Sequence, residues 1–181
     1  DSSNLLARAE ELVGLAIKAG ATDADAVTVR SRSRSVAVRL GKVEGTESAE
    51  ADELSLRVFV GNRVAAVAAN AGSDPAALAE RAVAMARVSP EDPAQGLADP
   101  ALLAAAPIDL DLDDPVEVST ARLTADALAT EAAALAVPGV ANSGGAGARA
   151  GSGGLVLATS AGFLGSYRAT RFSRSVSAIA G

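Results

Sequence analysis

The apolar period of the chain changes from near four to two across Gly20, and this switch limits the fold more than any other feature of the sequence. Residues 4 to 19 place Leu5, Leu6, Ala9, Leu12, Val13, Ala16 and Ile17 at helical spacing, with Ser3 as the expected N-cap and Gly20 at the C′ position. Beyond it Val27 and Val29, then Val36, Val38 and Leu40, then Leu54, Leu56, Val58 and Val60 alternate with polar residues, the signature of half-buried strands. Gly41-Lys42 and Gly61-Asn62 each put Gly first in a two-residue connection, as a type II′ hairpin turn requires. The expectation is an antiparallel meander over about 26–69, in which the polar stretch VEGTESAEA forms an exposed edge or outer strand.

The pattern then repeats. Asp74-Pro75 opens a second helix running to about Val88, with Asp as N-cap and Pro at the first helical position. SPEDPAQGLADP reads as a connector. DDPVE predicts a third helix capped by Asp114, with Pro115 at N1, Glu117 at N3, and a stripe of Val116, Leu123, Ala127, Leu128 and Leu135 continuing to Pro138-Gly139. From Val140 on, strand patterns return over 139–148, GLVLATS, FLGSYRATRF and RSVSAIAG. The fold class is therefore α+β, with antiparallel-rich β-sheet units and flanking amphipathic helices. The expected division is an α+β domain over 1–95, a connector over 96–114 and a second α+β domain over 115–181. That second unit is expected to be truncated, because the sequence stops within a strand pattern.

Composition narrows the chemistry. Hydrophobic residues make up 49% of the chain but aromatic residues only 2%, so the core must be assembled from many small contacts, and a site walled by rings is not expected. Without His or Cys, these residues cannot supply a Ser-His-Asp triad, a Cys-His dyad, a His-Glu-x-x-His zinc site or a disulfide. A net charge of −6 is a poor match to a phosphate backbone, so nucleic acid is not an expected partner. No run of about twenty apolar residues predicts a membrane span, and no secretory signal is visible at the start. A cytoplasmic location is expected.

Four motifs invite functional readings. Gly145-Ala146-Gly147-Ala148-Arg149-Ala150 fits the dinucleotide-binding pattern G-x-G-x-x-G/A, but the strand pattern LVLATS follows it, leaving no helix N-terminus to meet a pyrophosphate. Its surroundings, GGAGARAGSGG, are expected to be a mobile hairpin connection without bound nucleotide. RSRSRS resembles an RNA-binding tract, yet its alternation has the period of a strand and predicts Arg30, Arg32 and Arg34 on one solvated face or crossing into a turn. Asp109 to Asp114, DLDLDD, begins like a calcium loop but has Asp114 where Gly is needed and Thr120 where Glu is needed; helix capping is the expected role. Ser143 and Ser160 could be nucleophiles only with a lysine base, and the only lysines, Lys18 and Lys42, fall on a helix and in a turn.

AGATDADAVTVR, VRLGKVEGTESAEADELSLRVFVGNR, SPEDPAQGLADP and IDLDLDDP, in this order, resemble the N-terminal half of the TldD/PmbA family. IDLDLDDP and the ending NSGGAGA…LATSAGFLGSYRATRFSRSVSAIAG are most similar to its PmbA branch, also called TldE. The resemblance spans nearly the whole chain and rests on order and spacing, not on a catalytic signature. It implies a subunit of a cytoplasmic metallopeptidase assembly that processes and degrades peptides, in which a TldD-like chain pairs with a PmbA-like chain. It further implies that zinc sits on a His-Glu-x-x-x-His helix of the TldD-like partner, which carries out the cleavage. This portion would then be structural or channel the peptide substrate, with no catalytic, cofactor-binding or metal residue assigned to it. The family's older label as a modulator of DNA gyrase implies the alternative, a non-enzymatic protein-binding module.

Overall fold

The computed structural model describes residues 2–104 and 109–181. Three helices and five strands follow in the order α1 (Ser2–Lys18), β1 (Asp23–Arg39), β2 (Lys42–Val60), β3 (Arg63–Asn70), α2 (Pro75–Val88), α3 (Thr120–Leu135), β4 (Val140–Thr159) and β5 (Leu164–Ala180), with a 3-10 turn at Pro100–Leu102. The strands form one five-stranded antiparallel sheet in the order β3-β2-β1-β4-β5. The α+β class read from the sequence is the observed one.

Four of the strands are long, 17 to 20 residues. Each lends one part to each of two compact units: residues 1–30, 51–110 and 154–167 form the first, and 31–50, 111–153 and 168–181 the second. This spatial grouping and the linear one at 1–95 and 115–181 are different divisions of the same chain.

In the first unit the apolar stripe of α1, Leu5, Ala9, Leu12, Val13 and Ala16, and that of α2, Leu78, Ala79, Ala82, Val83 and Ala86, cover Leu54, Leu56, Val58, Ala65 and Val67 of the sheet. The register Leu54↔Ala69, Leu56↔Val67 and Val58↔Ala65 sets large side chains opposite small ones, which lets alanine-rich helices settle on the surface. Helix α1 ends in a Schellman motif: Ala21 N donates to Ala16 O, Gly20 N donates to Ile17 O, and Gly20 has φ 104°. On the reverse face Arg57 Nε donates to Asp25 Oδ2 at 2.9 Å, and its guanidinium lies 5.3 Å from the Phe59 ring.

The second unit has a smaller core. Val36 and Val38 of β1 and Ala146 and Ala148 of β4 pack on Leu123 and Ala127 of α3. The first part of β2, residues 43 to 50, is exposed, as VEGTESAEA predicted.

Several expectations are corrected. Helix α1 opens at Ser2, so Ser3 stands inside it instead of capping it. The first hairpin turn is Leu40-Gly41, one residue earlier than expected, with both residues at positive φ (50° and 73°), as a type I′ turn requires. Gly61-Asn62 is the second turn, closed by the Val60↔Arg63 pair. GGAGARAGSGG is not a hairpin connection: it lies inside β4, which runs unbroken through both strand patterns predicted there. Its glycines admit close neighbours, since a Cβ on Gly147 would sit 3.4 Å from Val36 O and one on Gly144 would sit 3.0 Å from Ser177 Oγ. FLGSYRATRF and RSVSAIAG likewise belong to one strand, β5.

Helix α3 begins at Thr120 with Ser119 as N-cap, five residues after Pro115 was expected to start it. Asp114 instead caps only a local turn, accepting from Val116 N at 3.0 Å, while its own N–H donates to Thr170 Oγ1 at 2.8 Å. That tertiary bond holds the segment extended, and Val116 and Leu135 are exposed instead of completing the stripe.

Candidate functional site

In the second unit residues 112–114 lie beside β5. Thr170 N donates to Leu112 O at 2.9 Å, Arg168 pairs with Asp113 at 3.0 Å, and Asp114 N reaches Thr170 Oγ1. A short acidic strap is thereby laid along the edge strand by one main-chain bond, one ion pair and one amide-to-hydroxyl bond. Pro115 carries no N–H to continue the pairing. The chain then leaves β5 and turns into α3 at Ser119, whose hydroxyl accepts from Arg122 N at 3.2 Å.

Where strap and strand part, a groove of about 720 Å³ opens. Val116, Val118, Leu123, Ala148 and Phe172 give it an apolar floor, and Arg122, Arg149 and Arg174 stand at its rim. Asp126 fixes two of these arginines, meeting Arg122 at 3.1 Å and Arg174 at 3.1 Å. Burial works against the Asp126 charge, but the hydrogen bond and charge of Arg122, joined by those of Arg174, outweigh it and hold the carboxyl below its ordinary range. A second hollow of about 330 Å³ is lined by Arg32, Arg34, Glu50, Val118, Arg168 and Phe172 among others.

The second unit also holds a buried polar cluster. Glu131 on α3 is 2% exposed. Its Oε1 accepts from Leu40 N at 2.9 Å and Ser143 Oγ at 2.5 Å, and its Oε2 accepts from Gly41 N at 2.8 Å. The Ser143 hydrogen bond first, then those of Gly41 and Leu40, keep the carboxyl below its usual range despite burial. One carboxylate thus ties the β1–β2 turn, α3 and β4 together, and it holds Leu40 in the left-handed region that a non-glycine residue rarely occupies.

The structure gives each sequence motif a definite place. Arg30 donates to Asp52 through Nε and through Nη2 (2.6 Å), and Arg32 meets Glu50 at 3.3 Å, so the Arg-Ser repeat forms cross-strand ion pairs on a strand face. Of DLDLDD, Asp113 is taken by Arg168 and Asp114 by its local turn; Ile108, which precedes the motif, lies outside the described residues. Ser143 is held between Glu131 and Gly145 N (3.0 Å). Ser160 Oγ accepts from Ala24 N at 3.1 Å and donates to Asp23 Oδ1 at 3.2 Å. Neither hydroxyl is brought to a lysine in these contacts. Among the described residues no group of three or more carboxylates is gathered that could hold a metal ion. Among the same residues no helix is long and apolar enough to cross a membrane.

Glu131 and Asp126 are the residues that sequence reasoning missed. The signal for Glu131 was present: Leu123, Ala127 and Glu131 recur every four residues, which puts a carboxylate on the buried stripe of α3.

Comparison with known proteins defines the class. Residues 24–86 match the model of PmbA/TldA metallopeptidase domain 1, and residues 113–181 match that of the PmbA/TldA metallopeptidase central domain. The chain belongs to this PmbA/TldD family. It is 36% identical over 172 residues to the metalloprotease PmbA homolog of Haemophilus influenzae, covering 93% of this chain and 38% of that one. It is 35% identical over 178 residues to metalloprotease PmbA of Escherichia coli O157:H7, covering 94% and 39%. The chain therefore spans less than half the length of these relatives. Its fold is also that of a Bacteroides thetaiotaomicron protein named as a modulator of DNA gyrase (TM-score 0.87, 22% identity, 97% of this chain and 41% of that one). TldE from Thermococcus kodakarensis shares it as well (TM-score 0.78, 16% identity, 96% and 39%).

Proposed function

We propose that this chain is a substrate-holding part of a PmbA/TldE-like subunit in a peptidase assembly, and that it positions extended peptides for cleavage by a TldD-like partner. The observation that carries the reading is the edge strand β5 beside the apolar-floored groove, within the residues that match the family's central domain. An edge strand binds an extended chain through main-chain N–H and C=O groups whatever the peptide's sequence, and an adjacent groove adds a preference for certain side chains. Metal chemistry is assigned to the partner, since Asp113, Asp126 and Glu131 of the second unit already have arginine, amide or hydroxyl partners.

The test is co-expression of the full-length protein with a TldD-like chain from the same genome, followed by pull-down and peptide cleavage. The expected result is a stable pair whose cleavage falls at least about tenfold when Phe172 and Val118 are both changed to Asp, with pairing kept, because charge in an apolar groove repels the side chains it should hold. Stable association with gyrase and none with the TldD-like chain would overturn it.

A further inference from the structure

We infer that the β5 edge from Phe172 to Ala180 takes an acidic polypeptide in extended form, continuing the line of the strap. The inference rests on the peptide-holding reading above and adds the chemical class of the peptide.

The strap provides the first ground, since it is itself a bound occupant of this edge. Leu112 accepts a main-chain bond from β5 and Asp113 takes an arginine of β5, so an extended acidic segment is the chemistry this edge already accommodates. The second ground is that pairing stops early. Thr170 N points away from β4, toward the strap, and in an unbroken strand the period of two sends the N–H groups of Phe172, Arg174, Val176 and Ala178 the same way. Among the described residues no strand lies beyond β5, and every residue from Arg171 to Ala180 is exposed. An exposed row of donors and acceptors is a template for another strand.

Charge supplies the third ground. From Leu164 to Ala180 the strand carries Arg168, Arg171 and Arg174 and no acidic residue, although the whole chain has a net charge of −6. Arg149 of the neighbouring strand stands at the same groove. Period two sets Arg171 and Arg174 on opposite faces of β5; Arg174 is paired with Asp126 on the groove face, and exposed Arg171 presents its cation on the other. Phe172 shares the groove face with Arg174, giving alternate side chains of the guest an apolar seat. Acidic residues alternating with apolar ones fit this surface best.

The experiment measures binding of three fluorescent peptides to the purified full-length protein by anisotropy, alternating Val with Glu, Lys or Gln. The Glu peptide is expected to bind at least about tenfold more tightly than the Lys peptide, with the preference shrinking in high salt as exposed charges are screened. Arg171→Glu, and separately Arg171→Gln, should erase the preference, read as the Glu-to-Lys affinity ratio within each variant. Val176→Pro should weaken all three, because it deletes an edge N–H while leaving the β4 ladder whole; circular dichroism checks its fold, and the charge variants test the inference independently. Equal binding of the three peptides would overturn the acidic preference and leave the peptide-holding reading standing. Binding of none would overturn both. Tighter binding of single-stranded RNA than of the Glu peptide would overturn the preference by assigning the arginines to phosphates.

Discussion

The two compact units solve the same problem, a helix on an antiparallel sheet, with opposite materials. In the first, Leu5, Leu12, Leu54, Leu56, Val58, Leu78 and Val83 bury long aliphatic side chains between two helices and four strands. In the second a single helix meets mainly Ala and Val, and a carboxylate with a hydroxyl and two amides occupies the place where a leucine could have been. Apolar burial is insensitive to pH and salt, whereas a hydrogen-bonded carboxylate depends on its charge. The contrast places robustness in the first unit and responsiveness in the second, which also carries the groove and the acidic strap.

The largest effect expected from breaking this comparison is in the first core. Leu56 has no exposed surface and is seated opposite Val67, so Leu56→Ala should cost about 2–5 kcal/mol, read as a lower urea midpoint. Leu123→Ala in the second unit should fall near the low end of that range, because Leu123 also lines the open groove and water can enter the space left behind. Equal or reversed costs would sink the idea that the first unit is the apolar anchor.

Acid should separate the units next. Glu131 and Asp126 have folded-state pKa values below their ordinary ones, so their stabilisation is fully present above the unfolded carboxylate value of about 4 and is lost as pH falls through the lower folded values. Hydrogen exchange, corrected for its intrinsic pH dependence, should then show the Leu40 and Gly41 amides losing protection on acidification before the amides of Leu56 and Val58. Glu131→Gln should expose the turn amides already at neutral pH and flatten that pH response. Simultaneous loss in both units would mean that the carboxylate cluster has no separate effect on the second.

How much of this was legible varies with the range of the interaction responsible. Helix α2 could be read from Asp74-Pro75 because cap and proline act within one turn, and the Gly61-Asn62 hairpin because only Gly61 needs positive φ. The Leu40-Gly41 turn was misplaced since its geometry is imposed by Glu131, about 90 residues away, which overrides the preference of Leu for negative φ. The start of α3 failed for a similar reason: Asp114-Pro115 is a good local start, but Thr170 on β5 holds Asp114 extended. Glycine in GGAGARAGSGG suggested a turn because freedom is its commonest use; here it gives small size inside a strand flanked by two others. The groove was not legible because its floor joins Val118, Ala148 and Phe172 from three elements.

The smallest effect tests the Arg-Ser repeat, where two adjacent arginines meet acids in different surroundings. Arg30 and Asp52 are about one-third exposed (33% and 34%) and share two hydrogen bonds, while Arg32 and Glu50 are 69% and 71% exposed at 3.3 Å. Solvent screens the second pair, and holding two long side chains in register costs entropy that offsets most of the attraction. Glu50→Gln should therefore change stability by no more than about 0.5 kcal/mol. Asp52→Asn should cost more than Glu50→Gln, because it weakens two charge-assisted bonds in a partly desolvated place. Double-mutant cycles on each pair check this ordering. A coupling for Arg32–Glu50 equal to that for Arg30–Asp52 would mean that exposure does not set the strength of these pairs, and the second unit would then rest on its surface charges more heavily than its buried carboxylate implies.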